Sequence, residues 1–169
     1  MPRARVEPRP VSLTFAKDVV KRHPDLPRNL SAVELTGDDL WLGSDEGTTI
    51  ERLSRKSDDT FGRHESIELS PFLALPAADQ ELDIEGLAFD GAYLWITGSH
   101  SLKRERPSIG KSAGAIEQLG RMVRETNRYI LARIPCVRDP QTGRFTLYKQ
   151  TIDPRDPTAT LTAAQLFGT

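Results

Sequence analysis

Apolar and polar residues alternate in short runs along most of the chain, which is the pattern of half-buried β-strands. Glycine-containing turns at Thr36-Gly37-Asp38 and Asp90-Gly91 are strong hairpin signals, because glycine tolerates the positive φ of a tight turn. The alternation predicts a short strand over 11–15, four strands over 30–35, 40–42, 48–53 and 64–69, and four more over 84–89, 93–97, 129–134 and 144–148.

The first two strands of each group of four are copies of one motif. Residues 29–44 (NLSAVELTGDDLWLGS) align with residues 83–98 (DIEGLAFDGAYLWITG) at a constant spacing of 54 positions, so that Trp41 corresponds to Trp95. Duplication at a fixed spacing is typical of repeat architectures. The sequence therefore predicts an all-β fold, an incomplete β-propeller of about two four-stranded antiparallel blades. The equivalent tryptophans are expected to pack between blades rather than to stack on a ligand.

The predicted strands divide the chain into four segments: a leader with a short strand (1–28), the first blade (29–69), the second blade (83–150) and the start of a truncated further element (151–169). The second blade contains an insertion over 103–126, where apolar residues at helical spacing predict a short helix over 115–124. Two blades cannot cover each other on both sides, so further blades or self-association must cover the open edges. We favour further blades, with the chain being a fragment of a longer propeller.

The charge and cysteine content exclude several classes of protein. The chain has 23 basic and 24 acidic side chains and a net charge of -1, so it lacks the positive surface of a nucleic-acid-binding protein. It contains neither a run of about twenty apolar residues nor a secretion signal, so a membrane partner is not expected. The single cysteine, Cys136, cannot form an internal disulfide, which favours a reducing compartment. We predict a cytoplasmic protein.

Two segments carry a family resemblance: residues 30–47 (LSAVELTGDDLWLGSDEG) and residues 85–104 (EGLAFDGAYLWITGSHSLKR). Across residues 30–167 the chain resembles the N-terminal part of a bacterial family classed as domain of unknown function 3616. The resemblance implies a β-propeller whose members extend further, with another Asp-Ile-Glu-Gly-Leu segment, but it implies no particular activity. The acid-x-Glu-Gly-aliphatic signature is also similar to phytase-like and esterase-like propellers, in which the inner-strand acid lines the central channel. This similarity suggests a location for Asp83 and Glu85.

The rim where the first strand of each blade begins is the predicted site. Pairing around Asp90-Gly91 places Glu85 opposite Ile96 and Asp83 opposite Gly98. This register brings several polar residues of the second blade to the same rim: Ser99, His100, Ser101, Lys103 and Arg104. The matching residues of the first blade are Asn29, Ser31, Asp45 and Glu46.

Two kinds of chemistry suit such a rim. Asp83, Glu85 and Asp45 could bind a divalent cation, calcium or magnesium, through carboxylate oxygens. Alternatively, Glu85 and His100 could act as a catalytic acid and base. In that case the groups that bind an anionic substrate would be Asp83, Ser99, Lys103 and Arg104.

Structural roles compete with both chemistries. Glu85 could accept backbone hydrogen bonds, Asp83 could cap the strand, and His100 could be a hydrogen-bonded loop residue. The two other histidines, His23 and His64, have no acidic or cysteine neighbour at ligand spacing and are not expected to form a site.

The function predicted from these residues is the binding of a small anionic or cation-bridged ligand at the channel rim. One alternative is a non-catalytic protein-interaction scaffold, and a further alternative is a metal-dependent ester or phosphoester hydrolase. The sequence leaves open whether the protein is an enzyme.

Overall fold

The computed structural model describes residues 8–104 and 120–168. Strands dominate this part of the chain, which confirms the all-β prediction. The helical segments are α1 (Lys17–Arg22) and two short 3-10 helices (Leu26–Arg28 and Thr126–Tyr129). None of the helices in these two ranges has the length and apolar character that a membrane crossing requires. The strands are β1 (Ser12–Leu13), β2 (Leu30–Thr36), β3 (Asp39–Ser44), β4 (Thr49–Ser57), β5 (Thr60–Glu68), β6 (Ile84–Phe89), β7 (Tyr93–Gly98), β8 (Lys103–Arg104), β9 (Met122–Val123), β10 (Ile130–Arg138), β11 (Phe145–Leu147), β12 (Gln150–Asp153), β13 (Asp156–Thr162) and β14 (Ala164–Phe167).

The first sheet has the strand order β1-β5-β4-β3-β2. Strands β2 to β5 form an antiparallel meander, as the sequence predicts for the first repeat. Strand β5 begins at Thr60, four positions before the predicted start at 64, because only Asp58 and Asp59 separate it from β4. The short strand predicted over 11–15 forms β1, which pairs in parallel with β5 and so covers its outer edge.

The second sheet has the order β6-β7-β10-β11, and β14 also pairs with β10. Strand β10 is long enough to pair with β14 through Ile130–Arg133 and with β11 through Cys136–Arg138. The fourth strand, predicted over 144–148, is observed as β11 and is only three residues long. Strand β14 extends the same sheet by pairing with the other half of β10. The segment after β11 begins with a separate hairpin of β12 and β13.

The helix predicted over 115–124 is wrong where the structure describes it. Residues 115–119 lie outside the described ranges, and Met122–Val123 forms β9, which pairs with β8. Met122 and Val123 are 50% and 39% exposed, so their helical spacing does not mark a buried face.

The second hairpin turn lies one residue later than predicted. Strand β6 ends at Phe89 and Asp90 N–H donates to the Tyr93 carbonyl oxygen, which leaves Gly91-Ala92 as the turn. The Asp90 carboxylate accepts the backbone N–H groups of Ala92 and Tyr93 at 2.9 and 2.8 Å and so fixes this turn.

The shifted turn changes the predicted register. Leu87, not Glu85, lies opposite Ile96, and Ile84, not Asp83, lies opposite Gly98. Both predicted pairs are therefore wrong, because they assumed Asp90-Gly91 as the turn.

A β-bulge interrupts the first strand of both repeats at the same position. The register shifts between Leu30 and Ala32 in the first sheet and between Ile84 and Gly86 in the second. The extra residues are Ser31 and Glu85, which correspond to each other in the repeat. Bulges redirect side chains and occur frequently beside functional sites.

The main hydrophobic core lies between the two sheets and contains Trp41, Leu94 and Ile96 among its buried residues. Ser31 Oγ donates to the backbone carbonyl oxygen of Ile84, which joins the first strands of the two sheets. Trp41 is fully buried in this core, whereas Trp95 is only half-buried and its Nε1 donates to Asp90 Oδ2 at 2.8 Å. The prediction of packing between sheets is thus confirmed for Trp41 alone.

A smaller core lies on the other side of the first sheet. It contains Leu40, Leu42, Leu53 and Phe61, with residues of β1 and the following loop packed against it. The two apolar clusters place the first sheet between the second sheet and the N-terminal segment.

Candidate cation site between the two sheets

Three carboxylates from separate parts of the chain converge where the two sheets meet. One carboxylate oxygen from each of Asp45, Asp83 and Glu85 lies within 4.8 Å of the others. Asp45 follows the last residue of β3, Asp83 precedes the first residue of β6, and Glu85 is the bulge residue of β6. These are the three residues for which the sequence predicts a metal site.

Backbone hydrogen bonds hold the segments that carry these acids. Asp45 N–H donates to the Asn29 carbonyl oxygen at 3.0 Å, and Leu82 N–H donates to the Gly47 carbonyl oxygen at 3.0 Å. The loop after β3 is therefore bonded to the residues that precede both β2 and β6.

Asp83 has an unusual backbone conformation for its position. Its φ is 50°, in the left-handed region, which aspartate tolerates better than most residues with a side chain. Asp83 is buried, with 5% of its surface exposed, whereas Asp45 and Glu85 are exposed. The cluster thus has one buried carboxylate and two that solvent can reach.

The electrostatics of the cluster disfavour three negative charges. Partial burial, and then the carboxylates of Asp83 and Asp45, raise the pKa of Glu85 above its usual value, while Arg128 acts in the opposite direction. Like charges close together favour the protonated form of a carboxyl group. A bound cation would relieve the same repulsion.

Arg128 is the positively charged partner of the cluster. Its guanidinium forms an ion pair with the Asp83 carboxylate and hydrogen bonds at 3.2 Å with the hydroxyls of Ser99 and Ser101. A side chain at Gly98 would overlap the backbone carbonyl of Arg128, so the glycine permits this close approach. Ser99 therefore reaches the site indirectly, through Arg128.

No sequence pattern indicates the pairing of Arg128 with Asp83, because the two residues are 45 positions apart. The same is true of Asn127, which is fully buried. Its amide donates to the carbonyl oxygens of Ala77 and Gln80 at 2.6 and 2.8 Å and accepts Ala77 N–H at 3.2 Å. These bonds fix the segment that leads into Asp83.

A cleft of about 290 Å³ adjoins the carboxylates, and the residues that line it include Asn29, Asp45, Asp83, Lys103, Arg104 and Arg128. The structure thus brings together predicted rim residues of both repeats. Glu46 and Glu81 also line the cleft.

Lys103 is already paired within the protein. Its Nζ lies 2.7 Å from Glu81 Oε2 and 3.0 Å from Glu125 Oε1. Burial alone would lower the pKa of Lys103, but the hydrogen bonds and charges of the two glutamates outweigh burial and raise the pKa. Arg104 also lines this cleft and is exposed.

His100 lies beside the site but does not line the cleft. Its Nε2 is 3.1 Å from the Ile130 carbonyl oxygen, and its ring packs edge-on against Tyr129 at 6.0 Å between centroids. The structure therefore places His100 against the start of β10, apart from the converging carboxylates.

His64 has an acidic partner that the sequence analysis missed. Its Nε2 lies 2.6 Å from Glu51 Oε2, and both side chains are at most 1% exposed. Ala16 N–H donates to Nδ1 at 3.1 Å, so the ring proton must be on Nε2, which donates to Glu51. The carboxylate also accepts the hydroxyls of Thr49 and Ser66 at 2.7 and 2.9 Å. The pair is diagonal across the β4–β5 ladder, so linear spacing does not indicate it.

The fold and the site together define an all-β protein with two five-stranded sheets and a carboxylate cluster at their junction. The family described as "Protein of unknown function (DUF3616)" matches residues 29–169, and the chain belongs to that family. Comparison with curated proteins and with solved structures gave no match. The resemblance to this family is confirmed, whereas nothing supports the weaker similarity to phytase-like and esterase-like propellers.

Proposed function

We propose that Asp45, Asp83 and Glu85 bind a divalent cation, and that the cation helps to hold a small anionic ligand in the adjoining cleft. The observation that carries this proposal is the convergence of three carboxylates to within 4.8 Å. The acids come from three chain positions that the two repeats bring together. A position that is surrounded by carboxylate oxygens from three residues suits a hard cation.

The charge of the cluster supports a divalent rather than a monovalent ion. Three carboxylates and the guanidinium of Arg128 together carry a formal charge of −2 when all are ionised. Partial burial, followed by the negative charges of Asp83 and Asp45, raises the pKa of Glu85. Within the described residues the cluster contains carboxylates alone, and oxygen ligands favour calcium or magnesium over zinc.

We also interpret the two sheets as consecutive blades of a β-propeller, with the cleft at the mouth of its channel. The support is the repeated hairpin, the repeated bulge and the packing of one sheet on the other. In this arrangement the exposed Arg104 would contact the anionic part of a ligand whose other end is bound to the cation.

Calorimetric titration of the chain with calcium, magnesium, manganese and zinc chlorides tests the cation site. We expect saturable binding of calcium or magnesium, and Glu85→Gln should weaken the binding by roughly tenfold or more because it removes a charged ligand. The matched control is Asp58→Asn, an acid in the β4–β5 turn at the opposite end of β4. A flat titration with all four metals would overturn the proposal.

A non-catalytic interaction scaffold is the second candidate, and the ion pair between Arg128 and Asp83 favours it. If this pair serves only to hold together the segments that precede β6 and β10, Glu85→Gln will change stability without changing any cation affinity. A metal-dependent ester or phosphoester hydrolase has less support, since His100 does not line the cleft.

A further inference from the structure

Arg128 places a positive charge beside the candidate cation site, and the structure gives it two carboxylate partners. Its guanidinium forms an ion pair with Asp83, one of the three proposed ligands. Its Nη1 also lies 3.9 Å from Glu125 Oε2, which is within ion-pair distance but too long for a hydrogen bond. Arg128 therefore lies between a proposed cation ligand and a second carboxylate.

The second carboxylate has an unused acceptor. Glu125 Oε1 accepts a hydrogen bond from Lys103 Nζ at 3.0 Å, whereas Oε2 is buried and has no hydrogen-bond partner among the described residues. A buried acceptor without a donor is unfavourable. A shift of the Arg128 guanidinium by about 1 Å would bring Nη1 within hydrogen-bond distance of Oε2 and would satisfy this oxygen.

Two serines also bind the guanidinium. Ser99 Oγ accepts a hydrogen bond from Nε of Arg128, and Ser101 Oγ accepts one from Nη2, both at 3.2 Å. Because hydroxyl groups are neutral, these bonds position the guanidinium without neutralising its charge. The side chains of Arg128, Asp83 and Glu125 are 12%, 7% and 15% exposed, so water screens their charges little. The charge of Arg128 therefore needs one of the two carboxylates.

The choice between the two carboxylates affects cation binding. A guanidinium that is paired with Asp83 repels a divalent cation that needs the same carboxylate. Building on the proposed function, we infer that Arg128 is an exchangeable counter-ion of the cation site. It neutralises Asp83 when no cation is bound, and it moves to Glu125 when a divalent cation takes its place. Glu125 thus regulates the cation affinity without being a ligand.

The exchange also favours divalent over monovalent cations. A sodium or potassium ion that displaced Arg128 from Asp83 would bring only as much positive charge as the guanidinium it replaced. A calcium or magnesium ion adds one further positive charge to a cluster of three carboxylates. Displacement of Arg128 is therefore more favourable for the divalent ion.

Calorimetric titration with calcium chloride tests the exchange through two substitutions with opposite expected effects. Arg128→Gln removes the competing charge and should lower the dissociation constant by roughly tenfold or more. Glu125→Gln removes the charge of the second partner, keeps Arg128 on Asp83 and should raise the dissociation constant by roughly tenfold. An arginine that only stabilises the fold predicts weaker binding in Arg128→Gln and unchanged binding in Glu125→Gln.

Each substitution has a control that removes the same charge. Arg124→Gln removes an exposed positive charge outside the cleft. Glu81→Gln removes a carboxylate that lines the cleft and pairs with Lys103, as Glu125 does. Within the described part of the chain, Glu81 forms no ion pair with Arg128. Both controls should change the dissociation constant much less than the substitutions they match.

The double variant Arg128→Gln/Glu125→Gln shows whether Glu125 acts through Arg128. Its calcium affinity should equal that of Arg128→Gln alone, because Glu125 then has no counter-ion to receive. If Arg128→Gln does not fold, the comparison of Glu125→Gln with Glu81→Gln decides the question.

The outcomes separate the exchange from the proposed function. A wild type that binds none of the four metals overturns the proposed function, and the exchange with it. A wild type that binds calcium overturns the exchange alone if Arg128→Gln binds no more tightly. The same conclusion follows if Glu125→Gln binds calcium as Glu81→Gln does.

Discussion

Gly43 of β3 lies directly against Ile84 of β6, at the point where the first sheet meets the second. A Cβ atom on Gly43 would lie 2.5 Å from Ile84 Cγ2 and 3.0 Å from Ile84 Cβ. Both distances are far below van der Waals contact, so a larger residue at position 43 would push the two sheets apart. The junction that carries the candidate cation site therefore depends on the absence of a side chain at this position.

Replacing Gly43 with alanine should destabilise the protein by about 1–3 kcal/mol, since overpacking a closed core forces the neighbouring backbone to move. Urea denaturation followed by circular dichroism gives the free energy of unfolding. Gly168→Ala is the matched control, because its Cβ would meet Tyr129 at an ordinary 3.6 Å. Equal stability of wild type and Gly43→Ala would mean that the sheets are not in the close contact described here.

The substitution Glu85→Gln should raise the melting temperature slightly in the absence of calcium and should lower it, relative to the wild type, when calcium is present. Because the pKa of Glu85 is raised, its ionised form is less favourable in the folded chain than in the unfolded chain. Its contribution to stability is therefore present below the unfolded pKa and is lost as the pH rises through the folded pKa. At pH 7 and without metal, Glu85→Gln should raise the melting temperature slightly, by roughly 1–2 °C because the residue is exposed.

Calcium should raise the melting temperature of the wild type, because a ligand that binds only the folded state stabilises it. The same addition should leave Glu85→Gln nearly unchanged. Thermal denaturation with and without calcium measures both effects, with Asp58→Asn as the control that should follow the wild type. If Glu85→Gln gains as much as the wild type on addition of calcium, Glu85 is not a ligand.

The sequence was sufficient for the eight principal strands and for the three carboxylates that converge in the cluster, because alternation and the duplicated motif are local signals. It placed Glu85 opposite the wrong residue, since the Asp90 carboxylate shifts the turn by one position and a bulge adds a residue to β6. The two changes nevertheless leave Glu85 beside Asp83. Side-chain capping and bulges depend on the three-dimensional geometry of the backbone, which the spacing of residues in the sequence does not indicate.

The contacts of Arg128 could not be predicted for a different reason. Its partner Asp83 lies in a distant part of the chain. No spacing in the sequence predicts that two residues so far apart will meet. The pair between His64 and Glu51 was missed because it depends on the register of a bulged ladder. Both ion pairs can be recognised only in the folded structure, where the strands are paired.

The stability of the protein should depend on pH through Glu65, which joins the two sheets. Its carboxylate forms ion pairs with Arg52 of the first sheet and with Arg144, which precedes β11 of the second. Burial alone would raise the pKa of Glu65, but the hydrogen bonds and charges of the two arginines outweigh burial and lower it. Its stabilising contribution is thus present above the unfolded pKa and is lost as the pH falls through the folded pKa.

We expect Glu65→Gln to lower the free energy of unfolding by about 1 kcal/mol or less at pH 7, since the side chain is 42% exposed to screening water. The difference from the wild type should shrink as the pH falls below 4.5, the usual pKa of a glutamate side chain. Urea denaturation at pH 7 and at pH 3 measures this change. Glu68→Gln is the control, because its exposed carboxylate accepts a hydrogen bond from Thr48. A difference that grows on acidification would contradict the assigned sign.

The buried pair of His64 and Glu51 should be strongly coupled in stability. Replacing His64 with leucine leaves the Glu51 carboxylate without its imidazole partner, although Thr49 and Ser66 still donate to it. We expect a loss of about 2–4 kcal/mol, because a buried charge that loses a partner is costly. Replacing exposed His23 with leucine is the matched control and should change stability little.

A double-mutant cycle with Glu51→Leu isolates the interaction itself. The double variant His64→Leu/Glu51→Leu should lose less than the sum of the two single losses, because removing both polar groups leaves no unpaired charge in the core. The free energies of unfolding of the wild type, both single variants and the double variant complete the cycle. Strict additivity would show that the 2.6 Å contact between Nε2 and Oε2 makes no net contribution to stability.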